Sequence, residues 1–288
     1  MDVTFYSYFN NMLTNEGIEK TLAYAVERGF TAVEFLDVPT VKRIPNKEYA
    51  YELKNALDRY GLKCACYSVG GNILAEEGGM YGEKNGVDTF KQSAEYAAIL
   101  GSPYFHHTMT IGYNNNKENP DTFDTLFDRL CKADEEVGRY ANSLGLTVLY
   151  EPQGPFVNGI ENFGRLYKEM ESRGLKLGVC GDVGNTLFSE THPTDFYNVY
   201  ISKVLHVHVK DYIIREGEMM SEKPLWISNG GKELVEVKLG DGVCEVASYL
   251  HNLKKIGYDG GISIETVYDG YGASDSERDI AFVKKYFA

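Results

Sequence analysis

Nowhere in the 288 residues do about 18 uncharged apolar residues run together, which argues against a membrane-spanning helix. The first residues, MDVTFYSYF, carry neither a basic segment nor a long apolar one, so no secretory signal is expected and a cytoplasmic location is. Five cysteines, Cys64, Cys66, Cys131, Cys180 and Cys244, form no C-x-x-C pair. Cys64 and Cys66 would point to one side of a strand, poorly oriented for a bridge. All five are expected as free thiols packed like small apolar side chains in a reducing compartment. Positive charge is scarce: 29 Lys and Arg face 42 Asp and Glu, a net charge of −13 with no basic stripe, so nucleic acid is not an expected partner. A Walker-type or dinucleotide glycine signature is missing from any strand-turn-helix context, so no nucleotide cofactor is expected. The absence of a G-x-S-x-G elbow removes the commonest serine hydrolase arrangement. With no Pro- or Ser-rich linker to divide it, the chain 1–288 reads as a single domain.

What the sequence does contain is a repeat of short apolar runs and longer amphipathic stretches. Strands are expected at 3–7, 32–35, 63–69, 104–108, 146–151, 175–182, 204–210 and 261–265. Helices are expected at 16–28, 47–60, 87–100, 122–143, 161–173, 195–203, 244–256 and 276–286. Gly29, Gly61, Gly101, Gly145, Gly174 and Gly257 each follow a helix's last turn, where a residue able to take positive φ ends a helix cheaply. Strand then helix, eight times over, predicts an α/β fold of one closed (β/α)8 TIM barrel in preference to an open sheet. One connection is long, at 211–242, and holds the single tryptophan, Trp226, with an Asn229-Gly230-Gly231 turn signal. A lid, a subunit contact, a small hairpin and a plain exposed insertion are all compatible with it, and so is a homo-oligomer.

Four metal-competent residues end the last four runs in succession: Glu151, Asp182, His208 and Glu265. Barrel active sites form where the strands' C-terminal ends and their loops gather, so the four would share one rim. Three carboxylates and an imidazole suit one divalent cation that favours oxygen with some nitrogen, such as Mn, Mg or Co. In HVHVKD, His206, His208 and Lys210 share a face; His206 would lie deeper as a group behind the ligands, and Lys210 at the mouth. Lys210 either holds a substrate oxygen or forms a solvated pair with Asp211. His107, in FHHTMT, and Glu34 are further candidate substrate contacts at strand ends, with His106 expected to point the other way. Gly270 and Gly272, in YDGYG, could cradle a phosphate. Specificity is expected in the loops 6–11, 68–81 and 211–242.

On YEP at 150–152, GDVGN at 181–185, HVHVKD at 206–211 and LGDG at 239–242, the chain resembles the xylose isomerase-like barrels. That superfamily holds sugar isomerases, ketose 3-epimerases, inosose dehydratases and endonuclease IV-type repair enzymes. The resemblance spans nearly the whole chain. It implies that Glu151, Asp182, His208 and Glu265 bind one divalent metal, manganese foremost with Mg, Co or Zn as alternatives, and that the two glutamates exchange substrate protons. Ketose 3-epimerases usually follow the first glutamate with Asn-Arg and a further Glu, where this chain has EPQGPFVNG; the arginine they place after the metal histidine is loosely matched by Arg215. The repair enzymes have a His three residues after the Asp, where Asn185 stands here. The expected activity is therefore a metal-dependent isomerase or epimerase acting on a small polyhydroxylated substrate. An inosose dehydratase-like lyase and a non-catalytic sugar-binding barrel are the alternatives.

Overall fold

A computed structural model describes residues 2–38, 43–78, 82–110, 121–154, 156–266 and 270–287. Its strands are β1 (Asp2–Phe5), β2 (Ala32–Asp37), β3 (Lys63–Val69), β4 (Tyr104–His107), β5 (Thr147–Tyr150), β6 (Leu177–Asp182), β7 (Val204–Val209), β8 (Asp211–Arg215), β9 (Glu233–Val237) and β10 (Gly261–Ile264). All except β8 and β9 pair in parallel and close into a barrel in the order β1-β10-β7-β6-β5-β4-β3-β2. This is the (β/α)8 barrel that the repeat predicts. Around it run α1 (Ser7–Glu16), α2 (Ile18–Glu27), α3 (Lys47–Tyr60), α4 (Gly86–Leu100), α5 (Phe123–Ser143), α6 (Gly159–Ser172), α7 (Pro193–Tyr200), α8 (Val246–Lys255) and α9 (Ala273–Phe287). Among the described residues, no helix is long and apolar enough to cross a membrane.

Local chemistry sets the helix ends. Asn46 and Asn85 accept from the amides of Tyr49 and Asp88, both at 2.8 Å, and Thr122 makes a capping box with Thr125. The six predicted helix-stop glycines all take positive φ, from 68° at Gly61 to 88° at Gly145.

The stretch 6–11, expected as a loop, is mostly helix α1. Asn10 explains it: its amide donates to the Glu34 carbonyl at 2.9 Å and accepts from the Leu36 amide at 2.9 Å, fastening the helix to β2. Phe9, Met12 and Leu13 bury the adjoining face.

The core has two compartments. Between barrel and helices lies a large apolar shell that includes Phe35, Leu53, Phe90, Phe105, Leu130 and Phe163. Inside the barrel the apolar cluster shrinks to Cys66, Leu149 and Cys180, with Tyr104 and Leu205 against it. All five cysteines are buried and unpaired. The rest of the interior includes buried Glu34, Ser68, His106, His206 and Ser263. Polar groups this deep must satisfy one another, so the barrel's centre is built as a network.

The long connection contains an antiparallel hairpin, β8–β9, in register from Asp211 opposite Val237 to Arg215 opposite Glu233. Asp211 clasps its base. The carboxylate accepts from the amides of Tyr212, Gly240, Gly242 and Cys244 at 2.9–3.0 Å. A Cβ on Gly242 would sit 2.2 Å from Asp211 Oδ1, so the LGDG segment takes glycine there because the carboxylate must approach its backbone. The solvated Lys210–Asp211 pair does not form, because Asp211 is committed to these amides.

Asp279 on α9 is fully buried, with the Tyr271 hydroxyl and the Arg278 guanidinium each 3.3 Å away. Burial raises its carboxyl to about 6, above the ordinary aspartate value. The folded state thus binds this proton more tightly than the unfolded chain, so the favourable contribution is full below the unfolded pKa and is lost as pH rises through about 6. Asp279→Asn is expected to raise unfolding stability by about 1–3 kcal/mol at pH 8 and to give little at pH 4. Denaturant midpoints at the two pH values check this, and an equal effect at both would sink it.

Candidate active site

The four rim residues converge. One ligand atom from each of Glu151, Asp182, His208 and Glu265 lies within 4.8 Å of the others, at the ends of four consecutive barrel strands, β5, β6, β7 and β10. His208 Nδ1 is the hub, 2.8 Å from Glu151 Oε1 and 3.0 Å from Glu265 Oε2. Asp182 Oδ1 accepts from the amides of Gly184 and Asn185, both at 2.7 Å, which fixes the carboxylate and turns Oδ2 inward. The GDVGN turn is thereby a positioning device for Asp182.

Lys210, predicted at the mouth, is buried. Its Nζ lies 3.0 Å from Asp182 Oδ2, Glu265 Oε2 and Asn185 Oδ1. Burial works against the ammonium, yet Asp182 and Glu265 outweigh it and hold the pKa well above the ordinary lysine range. Burial likewise opposes charge on His208, but Cys180, Glu34 and the surrounding carboxylates push it well upward. Burial opposes ionisation of Glu151 too, and His106 with His208 overcomes it, keeping that carboxyl well below its usual range. At Asp182 burial works against the charge, and Lys210, 3.0 Å away, favours it.

This donor set fits a divalent cation. Asp182 Oδ2 and Glu265 Oε2 are buried atoms with no aligned hydrogen bond, although Lys210 Nζ lies 3.0 Å from each and His208 Nδ1 3.0 Å from the second. Two such oxygens, a third carboxylate and an imidazole nitrogen match a hard or borderline ion. Glu265 is the most open of the four, with 20% of its side chain exposed against 2% for Glu151, so the cluster is open to solvent on the Glu265 side.

Behind this group sits the interior network, and here several expectations change. Glu34, expected as a substrate contact, has no exposed surface, and both its oxygens are occupied. His206 Nε2 donates to Oε2 at 2.7 Å, His208 Nε2 to Oε1 at 2.9 Å, and the hydroxyls of Ser68 and Ser263 complete the set. Burial disfavours its charge, but the two histidines hold it well below the usual carboxylate range. Glu34 is therefore the carboxylate behind the histidine. With His208 Nε2–H committed to it, Nδ1 is the nitrogen left to ligate. His206 lies one layer deeper, bonded to Glu34 and to Ser263 at 3.0 Å. A Glu34→Gln variant loses one of these acceptors and is expected to weaken divalent-metal affinity roughly 10–100-fold. Equilibrium dialysis against Mn2+ measures this, and unchanged affinity would show that Glu34 does not orient the ligand.

His107 and His106 exchange places. His107 lies on the outer face, its Nε2 3.2 Å from Asp134 Oδ1 on α5, among the rings of Phe90, Phe105 and Tyr150. His106 faces inward, with Nδ1 2.9 Å from Ser68 Oγ and Nε2 3.5 Å from Glu151 Oε2. Side chains alternate along β4, so His107 shares the outward face of Phe105 and His106 the inward face of Tyr104; with one aromatic on each face, the sequence did not mark which pointed in. Arg215 is on the hairpin, its guanidinium 3.3 Å from Ser221 Oγ and 4.0 Å from Glu233, and makes no contact with the cluster. Tyr6 was not foreseen; buried at the end of β1, it stacks on His208 with ring centroids 4.9 Å apart. Residues 79–81 of the 68–81 loop, Pro155 of EPQGPF, and 268 and 269 of YDGYG lie outside the described residues.

Comparison with known proteins agrees with the barrel fold. An inosose dehydratase of Lacticaseibacillus casei is 25% identical over 170 residues, 59% of this chain and 56% of that protein, so the match spans little more than half the length of that relative. The structure of 3-keto-D-glucoside 4-epimerase from E. coli superposes with a TM-score of 0.72 at 16% identity, covering 99% of both chains. A xylose isomerase-like TIM barrel protein from Mycobacterium smegmatis, in complex with magnesium, gives 0.71 at 15% identity, covering 99% of this chain and 96% of that one. The model of one family, described as xylose isomerase-like TIM barrel, matches residues 22–286. That span takes in every barrel strand but the first, and the chain belongs to the xylose isomerase-like TIM barrel family.

Proposed function

We propose that this protein is a divalent-metal-dependent isomerase or epimerase of a small polyhydroxylated keto compound, with Glu151 and Glu265 as its proton-transfer groups. The observation that carries the reading is the meeting of two carboxylates, from β5 and β10, on one imidazole nitrogen. Glu151, Asp182, His208 and Glu265 would hold the ion, with manganese expected first and Mg, Co or Zn as alternatives; once bound it would polarise a carbonyl and the adjacent hydroxyl, acidifying the C–H between them.

The chain's own residues then do the following. Glu265, the more exposed carboxylate, meets the substrate carbon from the open side, and Glu151 faces it from the enclosed side. One removes the proton and the other returns one to the opposite face or to a neighbouring atom. Lys210 Nζ, 3.0 Å from Glu265, donates to the substrate oxygen that gains charge. Glu34 and the Tyr6 ring keep the His208 imidazole from rotating.

The likeness to inosose dehydratases supports a second reading, in which the same proton abstraction is followed by loss of a neighbouring hydroxyl, protonated by Lys210. Incubating candidate keto-sugars and inososes with the Mn2+-loaded protein in D2O separates the two. Deuterium at one carbon of a product of otherwise unchanged mass supports the epimerase, and a product lighter by one water supports the dehydratase. Binding without any turnover or exchange would overturn both in favour of a sugar-binding barrel.

A further inference from the structure

Cys180 stands two residues before Asp182 on β6 and is fully buried inside the barrel. Its Sγ lies 3.9 Å from Glu151 Oε1, and the ligand atoms of Cys180, Glu151 and His208 are all within 4.8 Å of one another. Glu151 and His208 also belong to the oxygen-rich set with Asp182 and Glu265. The centre therefore has one shared carboxylate–imidazole edge, completed either by two carboxylates or by a thiol. Hard cations favour the first completion and soft, thiophilic cations the second. The other buried thiol beside an imidazole and a carboxylate, Cys66 with Glu34 and His206, offers a weaker set, because both Glu34 oxygens are already engaged by two hydroxyls and two imidazoles.

We infer that Cys180, Glu151 and His208 form a soft-metal site that overlaps the centre proposed for catalysis, so that thiophilic divalent cations such as Cd2+ are captured on the sulfur side and exclude the hard ion. This rests on the metal-site reading above, since it uses two of the same ligands. On capture the Sγ–H bond breaks, an Sγ–metal bond forms and the proton passes to buffer; no electron changes hands. Asp182 and Glu265 are left facing each other and Lys210, so the ion on the sulfur side forfeits the grip that would orient a substrate.

The test uses the full chain with Cd2+ and Mn2+ as probes and ultraviolet absorption as the readout. Cd2+ is expected to give a sulfur-to-metal charge-transfer band that saturates at one equivalent, and prior loading with Mn2+ should raise the Cd2+ needed. Cys180→Ser should abolish the band and weaken Cd2+ by at least about a hundredfold, since losing a direct ligand costs no less than losing the partner behind one, while Mn2+ affinity is retained. Cys66→Ser should keep the band. The Mn2+ competition on the unaltered chain needs no variant, and Cys180→Ala serves if the serine form fails to fold. A band that survives Cys180→Ser, or the lack of any band with Mn2+ binding intact, overturns the soft site alone. Failure to bind either ion overturns both the soft site and the metal centre beneath it.

Discussion

Glu151→Gln and Glu265→Gln are each expected to lower kcat by about a thousandfold, within the range that a positioned acid or base contributes. Glutamine keeps the volume and one acceptor oxygen but can neither take a proton nor supply the ligand charge. The two roles separate experimentally. If a glutamate served only to hold the ion, excess Mn2+ would restore turnover; if it moves the proton, saturating Mn2+ leaves kcat depressed. The pair should also fail asymmetrically. With Glu265 replaced, Glu151 still reaches its own face, so one epimer should exchange its C–H with D2O without inverting, and Glu151→Gln should do so for the other epimer. Symmetric loss of exchange in both variants would place proton transfer on another group, with Lys210 the next candidate.

The strands, their order of polar endings and the six helix-stop glycines were legible because each follows from a one-dimensional rule: period, φ preference, or the end of an apolar run. That is why Glu151, Asp182, His208 and Glu265 could be picked out together. What the sequence left obscure depends on which way a barrel wall faces and on what crosses it. His107 was assigned inward from its position at a strand end, whereas its phase with Phe105 sends it outward to Asp134. Glu34, expected at a strand end, stands within β2, and only the reach of its side chain across the barrel interior to β7 shows that it braces two histidines. Arg215 lies five residues beyond Lys210, yet β8 carries it along the hairpin to Ser221 and Glu233. Helix α1 was hidden because its weak apolar pattern is compensated by one tertiary bridge through Asn10.

The outward histidine leads to the second large effect. Asp134, fully buried on α5, accepts from the Tyr150 hydroxyl and stands 3.2 Å from His107 Nε2, while His107 Nδ1 is 3.3 Å from the Thr108 carbonyl. Burial, reinforced by Asp134, pushes the Tyr150 phenol well up, so Tyr150 remains a donor. Asp134→Ala strands both partners in the apolar shell, and is expected to cost about 3–5 kcal/mol of unfolding free energy. Asp134→Asn keeps an acceptor for Tyr150 and should cost nearer 1–2 kcal/mol. Because Tyr150 immediately precedes Glu151, the network anchors the end of β5 from outside while the metal set uses it from inside. Mn2+ affinity of the folded variant should nonetheless change little, since the wall of the barrel separates Asp134 from every proposed ligand. Urea unfolding read by circular dichroism, with Mn2+ dialysis on the same samples, tests both halves: a cost under about 1 kcal/mol would show that the three groups are not coupled, and a large fall in Mn2+ affinity at full folding would show that β5 transmits the change across the wall.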